Sequence, residues 1–324
     1  MTASDYRDAV FYAMQKKNDT TIHHLINIGM GMALIDKQII TQLGGFDESL
    51  SHMAGIFLDL SIRCLIARKD MVSTDGAASF GMEPDRLLEE TFDDRYPEDI
   101  ARLQDKWKMH YFHLYPNPYL ADMIMEEKNA AIHVLEVGCD LGATLFFIRD
   151  RYPNAAIYGY EINENAVRIA ENYMWAKSGN IEDKDLRLPK ESLDYIIFGD
   201  VLEHLRDPLA TLCYVREFLK PQGKIIASIP NLMHISVMSQ LLRGDFTYTE
   251  AGLLDKTHIH FFTYREMHRM LDQAGFRLLD EKFTVFPIQE DEAKLIDQLM
   301  MLDAGAERFM YEVFQFLILA ERTD

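Results

Sequence analysis

The chain has 324 residues, 48% of them hydrophobic, with 33 Lys and Arg against 52 Asp and Glu and a formal net charge of −19. That balance supplies no basic footprint, so DNA and RNA are not expected as partners, and the apolar content is ample for two cores. No run of 18 apolar residues and no N-terminal signal pattern occurs, so a cytoplasmic protein with no membrane insertion is expected.

In chain order, residues 26–50 (INIGMGMALIDKQIITQLGGFDESL) predict a strand, then a helix with Asp36 as N-cap, closed by Gly44 and Gly45. His23 and His24 precede that strand and are expected at the surface. Leu43 to Glu48, followed by Asp59, Leu60 and Arg63, resemble the acceptor-side half of a family 2 glycosyltransferase. Ile56 and Phe57 stand where that family has its Glu-Asp pair, and apolar side chains cannot take a proton from an acceptor hydroxyl. Residues 99–120, with Lys106-Trp107 and Asn117-Pro118, resemble the tail of the same family, whereas the sugar-nucleotide half has no counterpart before residue 25. The resemblance implies that residues 1–125 are a non-catalytic glycosyltransferase remnant, a smaller α+β domain serving docking, dimerisation or acceptor holding. Its partner would be a second copy or a glycosyltransferase.

A charged helical stretch near ADMIMEEKNAAIH (121–133) is expected to lead into the second domain, residues 126–324. There IHVLEV ends a buried strand at Glu136, Gly138 and Gly142 bracket a tight turn, and a helix follows. Glycine there lets a ligand approach the backbone, and free N–H groups open the helix. Nineteen residues after Gly142 a second strand, AAIYGYEI, closes on Glu161, placed for a ribose diol. A dinucleotide fingerprint would need glycine where Asp140 stands, and Asp140 would repel a pyrophosphate.

From residue 130 the chain resembles the class I S-adenosylmethionine-dependent methyltransferases. Glu136, Gly138 and Gly142 match motif I; LDYIIFGD (193–200) ends a further strand at Asp200; Leu-Glu-His (202–204), Asp207-Pro208, a helix, PQGK and the strand IIASIPN follow in the family's order. The resemblance implies a Rossmann-like seven-stranded sheet of order 3-2-1-4-5-7-6, with S-adenosylmethionine as cofactor. It implies a cofactor site of Glu136, Gly138, Cys139, Asp140, Gly142, Glu161, Ile162, Asn180, Ile181, Asp200 and Val201. Asn180 replaces the usual acid facing the adenine amino group but can still accept through its carbonyl; Asp183 and Asp185 beside it read as solvated loop acids.

Residues 231–265 are too long for a plain connection and form the expected substrate lid. The string from Leu241 to Thr263, including Phe246, Tyr248, Asp255, Thr257, His258, Phe261 and Phe262, resembles the substrate-covering segment of methyltransferases of glycan and surface-polysaccharide pathways. His260 stands where that string usually has Arg. The implied reaction is O-methylation of a hydroxyl of a sugar, nucleotide sugar or glycan. A hydroxyl is a poor nucleophile until its proton has somewhere to go, which points to His: His258 is the expected base, His204 the second candidate and Asp255 the orienting carboxylate. His258 and His260 form H-x-H, but no third ligand is assignable from sequence, and no metal is expected. Cys64, Cys139 and Cys213 are scattered, odd in number and set in apolar runs, as small buried residues of a reducing compartment are. The alternatives are a methyltransferase of another small molecule, of quinone or polyketide type, and a non-catalytic scaffold in a glycan-assembly complex.

Overall fold

The computed structural model describes residues 22–25, 35–74, 97–109, 112, 116–302, 305 and 307–323; for 22–25 and 72–74 it describes the backbone alone. Ile22–Leu25 (β1) pairs antiparallel with Met71–Thr74 (β2). His23 and His24 lie within β1, and the strand expected to follow them over 26–34 lies outside the described residues. Lys37–Gln42 (α1) starts as expected: the Asp36 carboxylate accepts from the Gln38 N–H at 2.7 Å, and Gly44 and Gly45 turn the chain away at φ +88° and +84°. Met53–Ile66 (α2), Pro97–Trp107 (α3) and Pro118–Ala121 (α4) follow.

One polar network ties these helices together. Asp59 of α2 is fully buried and accepts from Arg63 Nε at 2.8 Å and Trp107 Nε1 at 3.1 Å, with Lys106 Nζ at 2.6 Å. Lys106 also donates to Asp47 at 2.6 Å, and Arg63 Nη1 holds the carbonyls of Leu43 and Gly45 at 2.7 and 2.6 Å. Asp47, Asp59, Arg63, Lys106 and Trp107 thus hold one another. The stretch at 122–132 is turns and not the expected helix; Met123 and Ile124 are buried, and Tyr152 Oη donates to the Ile124 carbonyl, so the turn is pinned to the core.

The rest of the chain winds one sheet. His133–Val137 (β3), Ala143–Arg151 (α5), Ala156–Glu161 (β4), Glu164–Ala170 (α6) and Trp175–Ser178 (β5) come first. Leu193–Gly199 (β6), Pro208–Val215 (α7), Leu219–Pro230 (β7), Ile235–Arg243 (α8) and Tyr264–Gln273 (α9) follow. Phe276–Val285 (β8), Glu290–Met300 (α10), Phe309–Glu312 (α11) and Val313–Arg322 (β9) end the chain. The sheet order is β5-β4-β3-β6-β7-β9-β8, parallel except for β9, which is antiparallel to both neighbours. Counted within the sheet, this is the expected 3-2-1-4-5-7-6.

Strands covered on both sides read as unbroken apolar runs. Val134, Ile157, Tyr195, Ile197 and Ile226 enter one core, whereas Leu135, Val137, Ile196, Phe198 and Ile225 enter the other. Leu58, Leu60, Ile62 and Leu103 join the first, so the two cores are the two faces of one sheet and the N-terminal part shares one of them. PQGK (221–224) is not a separate turn: it lies inside β7 as an irregularity where pairing with β6 jumps from Leu193↔Leu219 to Tyr195↔Lys224, with Gln222 at φ +63°. Cys64 and Cys139 are buried as expected, but Cys213 is exposed, because α7 turns Leu212 and Val215 inward and Cys213 outward. The insertion after β7 is clipped at its ends, with Leu232 N–H donating to the Phe262 carbonyl at 2.9 Å and the buried Asn231 amide reaching the carbonyls of Met310 and Val313 at 2.9 and 2.6 Å. Among the described residues no helix is long and apolar enough to cross a membrane.

Candidate cofactor and acceptor site

Strand order reverses at β3, and in open α/β sheets ligands bind beyond the carboxyl ends of strands at such a point. There the chain makes three left-handed residues in a row of five, Gly138 at φ +74°, Asp140 at +46° and Gly142 at +80°. The Asp140 N–H donates to Glu161 Oε2 and the Asn163 N–H to Oε1, both at 2.9 Å. Each oxygen of this carboxylate keeps lone pairs for further donors. Gly138 is expected to leave room for a ligand, but a Cβ there would lie 2.6 Å from Val201 Cγ2; the glycine makes room for Val201. A Cβ on Gly142 would lie 2.5 Å from Met174 Cε.

Glu136 is 6% exposed and its Oε2 has no hydrogen-bond partner. Burial pushes its pKa up to about 8; a hydrogen bond from Thr144 opposes the shift, and Glu161 and Asp140 add to it. Three carboxylates crowd one turn, so a ligand that brings positive charge and hydroxyl donors fits it and a pyrophosphate does not. Ile162, beside Glu161, is 70% exposed. The Asn180 carbonyl, expected to face adenine, accepts from the Glu182 N–H at 3.0 Å and caps the short turn Ile181–Asp183, with Ile181 buried. Asp183 and Asp185 are both exposed as expected, and Asp185 also accepts from Tyr160 Oη and Lys177 Nζ.

At the end of β6 the Asp200 backbone takes φ +53°, its N–H donates to Ser228 Oγ at 2.9 Å, and its carboxylate accepts from Gln315 Nε2. Asp200 is exposed as a residue, yet its enclosed carboxyl group is shifted upward by desolvation. Leu202–His204 then form a single tight turn. Glu203 is 1% exposed, neither carboxylate oxygen has a hydrogen-bond partner, and burial with Asp200 nearby pushes its pKa well up. The lid meets this turn directly: the Glu203 carbonyl accepts from the N–H groups of Ile259 and His260, both at 3.0 Å.

His258 is buried, with Nδ1 3.3 Å from the Leu253 carbonyl and Nε2 3.9 Å from Glu203 Oε1. Burial and then the neighbouring His204 lower its pKa. His204 is exposed, its ring 4.8 Å edge-on from that of His258 and its Nδ1 3.1 Å from the Thr257 carbonyl. Asp255 does not orient an imidazole as expected: its Oδ1 accepts from Thr257 N–H and Oγ1–H at 2.7 and 2.6 Å, and the carbonyl of Leu253 positions His258 instead. His260 points elsewhere, its Nε2 3.0 Å from the Arg206 carbonyl, so H-x-H is not a ligand pair. Phe246, Tyr248 and Phe261 pack ring to ring at 5.5, 5.7 and 6.3 Å, and Phe261 lies 6.3 Å from His258. Phe246 and Tyr248 are 40% and 51% exposed. Thr144, Glu203 and Gln315 join the site without a motif of their own: Glu203 is the central residue of Leu-Glu-His, whereas Gln315 comes from the last strand and has no local signature.

A family model described as a methyltransferase domain matches residues 110–281, more than half of the chain. The chain belongs to this family. It is a class I methyltransferase whose cofactor is S-adenosylmethionine, and the positive sulfonium and α-amino group with the ribose diol of that molecule suit the acidic turn at 136–161. The methyltransferase is 25% identical over 197 residues to a ubiquinone biosynthesis O-methyltransferase of Coxiella burnetii, covering 56% of this chain and 83% of that one. It is 24% identical over 203 residues to the tRNA N(3)-cytidine methyltransferase METTL2 of Mus musculus, covering 57% and 48%. Solved structures of methyltransferases from Mesorhizobium loti and Archaeoglobus fulgidus overlay with TM-scores of 0.44 and 0.43 at 13% and 17% identity, covering 63% and 74% of this chain and 96% and 100% of theirs. The strand order, and not these overlays, fixes the fold.

Proposed function

We propose that the methyltransferase O-methylates a hydroxyl of a sugar, nucleotide sugar or glycan. The observation that carries this reading is the open aromatic face of Phe246 and Tyr248, joined through Phe261 to the buried His258. A sugar laid on that face brings a hydroxyl toward the Glu203–His204–His258 cluster while its C–H face stacks on the rings. The bound cofactor supplies a sulfonium methyl group. The chain's own residues hold the ribose at Glu161, receive the positive end at Glu136 and Asp140, and exclude water with the lid, so that nucleophile and methyl lie in line. The hydroxyl proton leaves toward the cluster, with His258 as base and His204 as the second candidate. Ile162 and Ile181 flank the adenine in this reading, and Asp200 and Val201 close the methyl side.

The N-terminal part is read as a glycosyltransferase remnant that docks, dimerises or holds the acceptor, since its signature residues Asp47, Asp59, Arg63 and Lys106 bind one another. A net charge of −19 disfavours tRNA as substrate. The three unpaired cysteines fit a reducing cytoplasm. A quinol-type acceptor is the second reading, favoured by the relatives named for ubiquinone biosynthesis and by the same rings, which can stack on an aromatic acceptor. The test is incubation with methyl-labelled cofactor and a panel of nucleotide sugars, glycans and catechol-type quinols, followed by location of the label. Label on a sugar oxygen supports the first reading and label on a quinol the second. No transfer from a protein that binds the cofactor points to the scaffold reading.

A further inference from the structure

Glu203 is a carboxylate sealed from solvent with no hydrogen-bond partner on either oxygen, which is unfavourable unless a proton or a cation offsets it. Around it the turn and the lid place two imidazoles, and one ligand atom each from Glu203, His204 and His258 lie within 4.8 Å of one another. Each ring nitrogen Nδ1 faces a backbone carbonyl, Leu253 for His258 and Thr257 for His204. A neutral imidazole that donates from Nδ1 has its lone pair on Nε2, which is how metal-ligating histidines are usually fixed by a second shell. Nε2 of His258 stands 3.9 Å from Glu203 Oε1, too far for a hydrogen bond. Two atoms each about 2.0–2.2 Å from one ion lie at most about 4.4 Å apart; the Glu203–His258 pair at 3.9 Å falls within that span, and the three atoms, within 4.8 Å of one another, must draw together on the ion. Asp200 and Asp255 add negative charge around the cluster.

We infer that Glu203, His204 and His258 bind one divalent transition-metal ion between the Leu-Glu-His turn and the lid. Two nitrogens and one carboxylate favour zinc or manganese over magnesium or calcium, which take all-oxygen shells. Three protein ligands leave positions open for an acceptor oxygen, whose proton a bound cation makes easier to lose, the proton passing to a water molecule and not to His258, whose lone pair is on the ion. The inference deepens the proposed O-methylation by assigning His258 as ligand and the cation as the group that acidifies the hydroxyl. The ion also fastens the lid to the end of β6.

The test is calorimetric titration of chelator-stripped full-length protein with zinc or manganese chloride, alone and with S-adenosylhomocysteine present. One ion per chain is expected at micromolar concentrations, weakened at least 10-fold by Glu203→Gln and by His258→Ala and unchanged by His260→Ala, with S-adenosylhomocysteine binding retained in every variant as the check on folding. Stripped enzyme should lose acceptor methylation and regain it with the metal. No binding by wild type at 1 mM metal, or unaltered binding in both Glu203→Gln and His258→Ala, would overturn the inference. If S-adenosylhomocysteine still binds in that case, the methyltransferase reading stands with His258 as a direct base; if it does not bind, that reading fails on its own account.

Discussion

Gly138 and Gly142 look equivalent in sequence, and the structure separates them. Both have positive φ, which costs a residue with a Cβ about 1–2 kcal/mol. Both would place a Cβ in contact, 2.6 Å from Val201 Cγ2 and 2.5 Å from Met174 Cε. Val201 is β-branched and stiff at χ1, whereas the Met174 contact is the far end of a flexible side chain that can swing away. Gly138→Ala should therefore add about 1–3 kcal/mol of overpacking to the backbone strain, for a total of about 2–5 kcal/mol, and Gly142→Ala should cost about 1–2 kcal/mol from strain alone. Val201→Ala, made in the Gly138→Ala background, should recover most of the overpacking part. Urea denaturation of the four proteins, Gly138→Ala, Gly142→Ala, the double variant and wild type, measures all of these. An equal or larger loss for Gly142→Ala, or no recovery in the double variant, would refute the assignment of Gly138 to Val201.

Asp59→Ala should destabilise the protein by about 3 kcal/mol, because Arg63 and Trp107 lose a buried acceptor together, and thermal unfolding checks it. Glu136 has a folded pKa near 8 against an ordinary 4.5, so its contribution is fully present below pH 4.5 and is lost as pH rises to about 8. Across that window cofactor-free protein should lose up to about 1.4 kcal/mol per pH unit from this group, a slope that Glu136→Gln removes in denaturation curves taken at several pH values. If the cofactor's positive end sits at Glu136, S-adenosylmethionine binding at pH 7 should release a proton, seen as a buffer-dependent heat that Glu136→Gln abolishes.

The sheet and the cofactor turn were legible because their signals are local. Glycines, an acid at each strand end and apolar runs suffice to place Glu136, Gly138, Gly142 and Glu161. The acceptor side was legible only in part. His204 and His258 are 54 residues apart, and nothing local says that the lid folds back so that Glu203 receives the Ile259 and His260 N–H groups. Asp255 lies three residues before His258, but a Thr257 between them captures its carboxylate. Asn180 caps the next turn through its side-chain oxygen, a role the sequence does not signal, and that oxygen keeps a lone pair for a further donor. Composition predicts enough apolar residues for two cores but does not say that the two largest clusters are the two faces of one sheet.

The central claim is that this chain binds S-adenosylmethionine at the turn from Glu136 to Gly142, with Glu161 on the ribose. Isothermal titration of wild type and Glu161→Ala with S-adenosylmethionine and S-adenosylhomocysteine tests it most directly. One site per chain is expected for wild type, weakened at least 10-fold in Glu161→Ala, about 1.4 kcal/mol or more for a lost diol acceptor. Absence of heat at hundreds of micromolar protein and ligand, or equal affinity in Glu161→Ala, would contradict the account.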